Sequence, residues 1–249
     1  RPPRSTLDRS SAASDVYKRQ EWYSLQKILR QEWVESSLSD LEQEEPDDLM
    51  MHPLRLALEI PSLMNQNDWL VIDGGNTHFW SEIAVNMAGA QGKELAGILH
   101  PGSFSMLGVG VSFGLAAKLN HPKDRVVVIS GDGAFLSGGL SIEAAFQENV
   151  PITVVIDNNG GLTTISQQQE RLFADERHVA TDFRDIPFHT MFEGMGGHGE
   201  LVEKPEDLKP ALERAFSSGK TACVNVRTRS AISPICLLYT SDAADERSS

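Results

Sequence analysis

Two short apolar runs, separated by a helix-length gap, constrain this chain more than any other feature. RVVVIS (125–130) and PITVVIDN (151–158) are apolar along their length instead of alternating. That is the pattern of strands buried on both faces of a parallel sheet. The segment from about Gly138 to Glu148 reads as a helix between them. A strand–helix–strand crossover is right-handed, so both strands run the same way and finish at the same, carboxyl edge of the sheet. Gly131-Asp132-Gly133 follows the first run and Asn158-Asn159 ends the second. Neighbouring strands lie about 5 Å apart, or about 10 Å with one strand between. An aspartate and an asparagine are thereby brought to one corner, where open α/β sheets bind ligands.

The oxygens expected there are hard donors: the Asp132 carboxylate, the Asn159 amide oxygen and the Gly161 carbonyl. Such a set suits Mg²⁺ or Ca²⁺ and suits zinc poorly. Three protein oxygens leave about half of an octahedral Mg²⁺ shell free for phosphate or water. A helix starting near Ser137 would add N–H donors and the positive end of a dipole.

The remaining pattern extends the same architecture. HPLRLALEIPSLM (52–64) reads as a helix, DWLVIDGG (68–75) as a buried strand with a glycine turn, and THFWSEIAVNM (77–87) as a helix. ELAGILHPGSFS is a mixed segment leading to the glycine-spaced helix MLGVGVSFGLAAKLN. EDLKPALERAFSSG is a further helix and TACVNVRT a last strand. The expected fold is therefore α/β: a doubly wound, mostly parallel sheet with helices on both faces. Residues 21–50 read as a short amphipathic helix and an acidic connector. Residues 1–20 and 235–249 do not match the rest in character and read as non-native tails. The domain is placed at 51–234.

Composition narrows the function. The net charge is −13 and the pI about 4.9, the opposite of a nucleic-acid footprint. An anionic ligand still fits where a metal carries the compensating charge. No apolar run of about 18 residues suggests a membrane span. Cys223 and Cys236 form no CxxC pair, so the default compartment is the reducing cytoplasm. A plain dinucleotide-binding turn would need GxGxxG, which DGGNTH does not supply.

GDG followed by NN, with Asp132 and Asn159 27 positions apart, resembles the thiamine-diphosphate motif of the acetolactate synthase, benzaldehyde lyase and 2-hydroxyacyl-CoA lyase group. The resemblance runs from about Met51 to Pro234 and covers only the C-terminal, diphosphate-binding domain of such enzymes. It implies that Asp132, Asn159 and the Gly161 carbonyl bind Mg²⁺. It places Gly131, Gly133, Ala134 and Phe135 along the cofactor, and GGNTH (74–78), with Gly75, Asn76 and Thr77, at the terminal phosphate. In PGSFSMLGVG (101–110), the Ser105 carbonyl falls where the family accepts a hydrogen bond from the 4′-amino group. Leu107 falls on the bulky position that bends the cofactor.

By residue type alone, Asn76 or Thr77 equally suits a helix N-cap, and Leu107 equally suits core packing. His78 and His100 stand beside the two cofactor segments; His52, His121, His178, His189 and His198 read as surface or loop residues. The polar stretch 163–185 reads as a lid or a loop ordered by cofactor.

By the same resemblance, the reaction is C–C bond cleavage or carboligation on 2-oxo acids or 2-hydroxyacyl compounds. A non-oxidative 2-oxo-acid decarboxylase and a non-catalytic cofactor-binding subunit are the alternatives. The activating glutamate is expected on a separate pyrimidine-binding domain, so the 249-residue chain is expected to be inactive alone. A homodimer or homotetramer is the expected assembly. HPGSFSML and NNGG depart from the pattern typical of acetolactate synthases, which loosens the substrate assignment more than the cofactor assignment.

Overall fold

The computed structural model describes residues 20, 22–29, 31–33, 35–36, 50–173, 178–231 and 233. The chain divides into two units, Arg1–Glu44 and Glu45–Ser249. In the first, the described residues between 20 and 36 are helical. The acidic connector at 37–49 and most of the two tails lie outside the described residues.

In the second unit, six strands form one parallel sheet: β1 Trp69–Ile72, β2 Gly97–Leu99, β3 Val126–Gly131, β4 Thr153–Asn158, β5 His198–Val202 and β6 Ala222–Arg227. Their order is β2-β1-β3-β4-β6-β5. The central strands explain the apolar runs. In β3, Val127 and Ile129 join one core cluster, with Leu56 and Ile60 of the helix Pro53–Leu63 and Leu208 and Leu212 of the helix Pro205–Ser217. Val126 and Val128 join the other, with Val111 and Ala117 of the helix Gly110–Asn120 and Phe188 and Phe192 of the helix Phe188–Gly194. Both faces are covered, as expected for a doubly wound sheet. Each fully buried Val, Leu or Ile contributes about 1.5–3 kcal/mol relative to exposure.

Several local expectations are corrected. The crossover after β3 does not begin near Ser137; a helix starts directly at Asp132 and runs to Gly138. It passes through a 3₁₀ turn, Gly139–Ile142, into the short helix Glu143–Gln147. Gly138 explains the break. A Cβ there would stand 2.0 Å from the Gly108 carbonyl oxygen, so this corner is packed backbone to backbone. ELAGILHPGSFS contains β2, and the polar stretch after β4 contains the helix Thr163–Phe173, so its first part is ordered secondary structure. His52 is buried, where its Nδ1 accepts from the Leu54 amide at 3.0 Å and caps the helix Pro53–Leu63.

The strand order reverses between β1 and β3. From β1 the chain leaves through the helix Asn76–Ala90 to β2 on one side; from β3 it leaves to β4 on the other. The loops after β1 and β3 therefore splay apart and open a crevice at the carboxyl edge.

Candidate functional site

Three of the apolar runs end in a buried aspartate at that edge: Asp73 after β1, Asp132 after β3 and Asp157 within β4. Each ties down a different piece of chain. Asp73 Oδ1 accepts from the amides of Gly74 (2.8 Å), Gly108 (2.9 Å) and Val109 (3.2 Å), and its Oδ2 from Ser130 Oγ (2.9 Å). It fastens the 105–109 segment to the end of β1. Asp157 accepts from Thr77 Oγ1 at 2.7 Å and from the Thr228 hydroxyl.

Asp132 links β3 to β4. Gly131 pairs with Asp157 across the two strands, so the corners are neighbours on one edge. Asp132 Oδ1 accepts from the Gly133 amide at 2.6 Å, and Oδ2 from the amides of Gly160 and Gly161 at 2.8 and 3.0 Å. Asn159 Oδ1 faces the Gly161 amide at 3.2 Å. Burial, together with the Asp157 charge, raises the Asp132 carboxyl to a pKa of about 7, against the pull of its three amide donors. Burial also raises Asp157, against its two hydroxyl donors.

A cavity of about 310 Å³ opens over these corners. Gly75, Asn76, Thr77, Ser105, Leu107, Gly131, Asp132, Gly133, Ala134, Asn159 and Gly161 all line it. Gly74 belongs to the same wall, and a Cβ there would meet the Met106 carbonyl oxygen at 2.3 Å. Ser105 holds a left-handed conformation (φ 46°), which turns the backbone at the cavity's rim. Among the described lining residues there is no lysine or arginine.

Three of the expected site residues have side chains committed within the fold, although Asn76 and Thr77 still line the cavity. The Phe135 ring is absent from the lining and packs in the core, 5.4 Å from the Phe188 ring. The Asn76 side chain is engaged elsewhere: its Nδ2 donates to the Ala231 carbonyl at 2.7 Å and its Oδ1 accepts from the Ser233 amide at 3.1 Å. The Thr77 hydroxyl is committed to Asp157. Neither side chain is the N-cap, which is Gly75 at φ 92°. This corner therefore sets the N-terminus of a 15-residue helix at the cavity. Sequence reasoning passed over Asp73 and Asp157, although both close an apolar run as Asp132 does, in WLVID and TVVID.

A parallel sheet with a crevice at the strand-order reversal, an oxygen-rich corner and a helix N-terminus is the architecture of a ligand-binding α/β domain. Residues 73–226 match the family described as thiamine pyrophosphate enzyme, C-terminal TPP binding domain, and the chain belongs to that family. It is 36% identical over 199 residues to the acetolactate synthase large subunit IlvG of Mycobacterium tuberculosis, across 78% of this chain and 35% of that protein. It is 29% identical over 175 residues to a 2-hydroxyacyl-CoA lyase of Arabidopsis thaliana, across 69% of this chain and 29% of that protein. The catabolic acetolactate synthase of Raoultella terrigena is 27% identical over 176 residues, across 71% of this chain and 30% of that protein. The chain spans about a third of the length of these relatives. Among the described residues, no helix is long and apolar enough to cross a membrane.

Proposed function

We propose that the cavity holds the diphosphate of thiamine diphosphate through Mg²⁺ bound by Asp132, Asn159 and Gly161. One observation carries this reading: Asp132 is bonded to the Gly160 and Gly161 amides at a cavity whose described lining has no lysine or arginine. An anionic diphosphate in such a place needs a cation, and two buried carboxylates with raised pKa values favour one too. The residues fit that ion. Among the described residues, Asp132 Oδ1 accepts from one amide and Asn159 Oδ1 from one amide, which leaves each oxygen a lone pair for the ion.

The amides of the helix Asn76–Ala90 supply donors to the terminal phosphate. Asp73 positions Ser105 and Leu107 by holding Gly108 and Val109. Leu107 gives the cavity an apolar wall and the Ser105 carbonyl an acceptor at its rim. When bound, thiamine diphosphate supplies the electron sink for carbanion chemistry, and the protein supplies its geometry.

The whole protein is read as an acetolactate synthase-like lyase or carboligase for 2-oxo acids or 2-hydroxyacyl compounds, in the cytoplasm. This chain, from 51 to 234, is its diphosphate-binding domain. Phe104, Met106, Leu107, Leu136 and Leu140 are exposed on two segments that touch at Gly108 and Gly138. This apolar area is where a pyrimidine-binding domain or second subunit would cover the cavity, in a homodimer or homotetramer. Mn²⁺ in place of Mg²⁺ tests the site: it should broaden the ³¹P resonances of thiamine diphosphate bound to the native chain, and do so far less with Asp132→Asn. Equal broadening in both would remove Asp132 from the metal. Acetolactate formed from pyruvate by the full protein supports carboligation, whereas acetaldehyde supports decarboxylation.

A further inference from the structure

We propose a second metal site, formed by His78, Glu82 and His100, that takes a borderline transition metal such as Zn²⁺ or Co²⁺ instead of Mg²⁺. His78 and Glu82 are one helical turn apart on the helix Asn76–Ala90, with His78 Nε2 2.8 Å from Glu82 Oε1. His100 arrives from the loop after β2, its ring edge-on to that of His78 with centroids 5.3 Å apart. One ligand atom from each residue lies within 4.8 Å of the others. Two imidazoles and a carboxylate are a recognised zinc set, which leaves a fourth position for water or an anionic oxygen. Imidazole does not suit Mg²⁺, so this cluster and the oxygen corner at Asp132 select different ions.

Little has to move. Ligand bonds of about 2.0–2.2 Å hold tetrahedral donors about 3.3 Å apart, so the His78–Glu82 contact opens slightly as the ion replaces the shared proton. His100 must turn further. Its Nδ1 accepts from the Gly102 amide at 3.2 Å, and ligation through either ring nitrogen gives up that long contact. His100 is exposed, so the ring is free to do so. Glu82 is half-buried and His78 is buried on the cavity wall, which anchors the site on its helix side.

The test is a Co²⁺ titration of the tag-free 249-residue chain, followed by visible absorption. One equivalent should give the intense bands of a four- or five-coordinate ion. Zn²⁺ should displace it and a hundredfold excess of Mg²⁺ should not. Glu82→Gln, His100→Ala and His78→Ala should each weaken binding at least tenfold, while Asp132→Asn leaves it unchanged. Glu82 and His100 are not buried, so those two variants decide the matter should His78→Ala fail to fold. Bands that persist undiminished in both, bands lost in Asp132→Asn, or no saturable binding would overturn the proposal.

Discussion

Asp132 Oδ2 lies 2.8 Å from the amide nitrogen of Gly160, so the corner that ends β3 is bonded to the corner that ends β4. The proposed cofactor site depends on this bond, because it aims the carboxylate and shapes the loop carrying Asn159 and Gly161 at once.

Proton and metal compete for Asp132. Its folded pKa of about 7 lies above the ordinary 3.8, so the folded state holds a proton that the unfolded chain releases. This group's contribution to stability therefore falls as pH rises from about 4 to about 7, and is flat above. Metal affinity runs the other way. About a tenth of Asp132 is ionised at pH 6 and about nine tenths at pH 8, so metal-dependent affinity should rise about tenfold between them. Asp157→Asn removes the neighbouring charge and should move that curve to lower pH, which titrations at several pH values would follow.

Thr77→Val should destabilise the fold by about 1–3 kcal/mol in denaturant unfolding. It removes the 2.7 Å hydroxyl donor from a buried carboxylate and leaves Asp157 with Thr228 alone. Thr77→Ser keeps the donor and should stay within about 1 kcal/mol of the native protein.

Asp73 gives a sharper contrast. Asp73→Ala takes the acceptor from three backbone amides and should cost at least about 2 kcal/mol, with protease cleavage appearing first between 101 and 109. Asp73→Asn keeps an oxygen for those amides and should cost less. Equal losses would mean that the charge, not the hydrogen-bond geometry, holds the segment.

Glycine substitutions should have opposite signs at two positions. Gly138→Ala puts a Cβ 2.0 Å from the Gly108 carbonyl oxygen and should destabilise strongly. Gly89→Ala lies in the helix Asn76–Ala90 with nothing within 4 Å, and should stabilise by about 0.5–1 kcal/mol. Thermal melts of the two variants check both.

The architecture was legible where strands are central. VVVIS and TVVI are buried on both faces, and such strands must be apolar throughout. The edge strands were not. β2 is three residues long and half exposed, and β5, HGELV, is polar, because an edge strand is packed less completely. The Asp132 and Asn159 corners were legible because each follows an apolar run, and the crossover brings those two runs side by side with their ends on one edge. The commitments of Asn76 and Thr77 were not, since their partners Ala231 and Asp157 are distant in sequence. The Phe135 ring also hid its direction: the helix starts at Asp132, five residues before Ser137, and that side chain packs into the core.

Titration calorimetry of thiamine diphosphate into the native chain and into Asp132→Ala, each with and without Mg²⁺, tests the central claim most directly. Binding should be saturable in the native chain only with Mg²⁺ and should vanish in the variant. The same affinity in both proteins, or native binding that ignores Mg²⁺, would contradict the account.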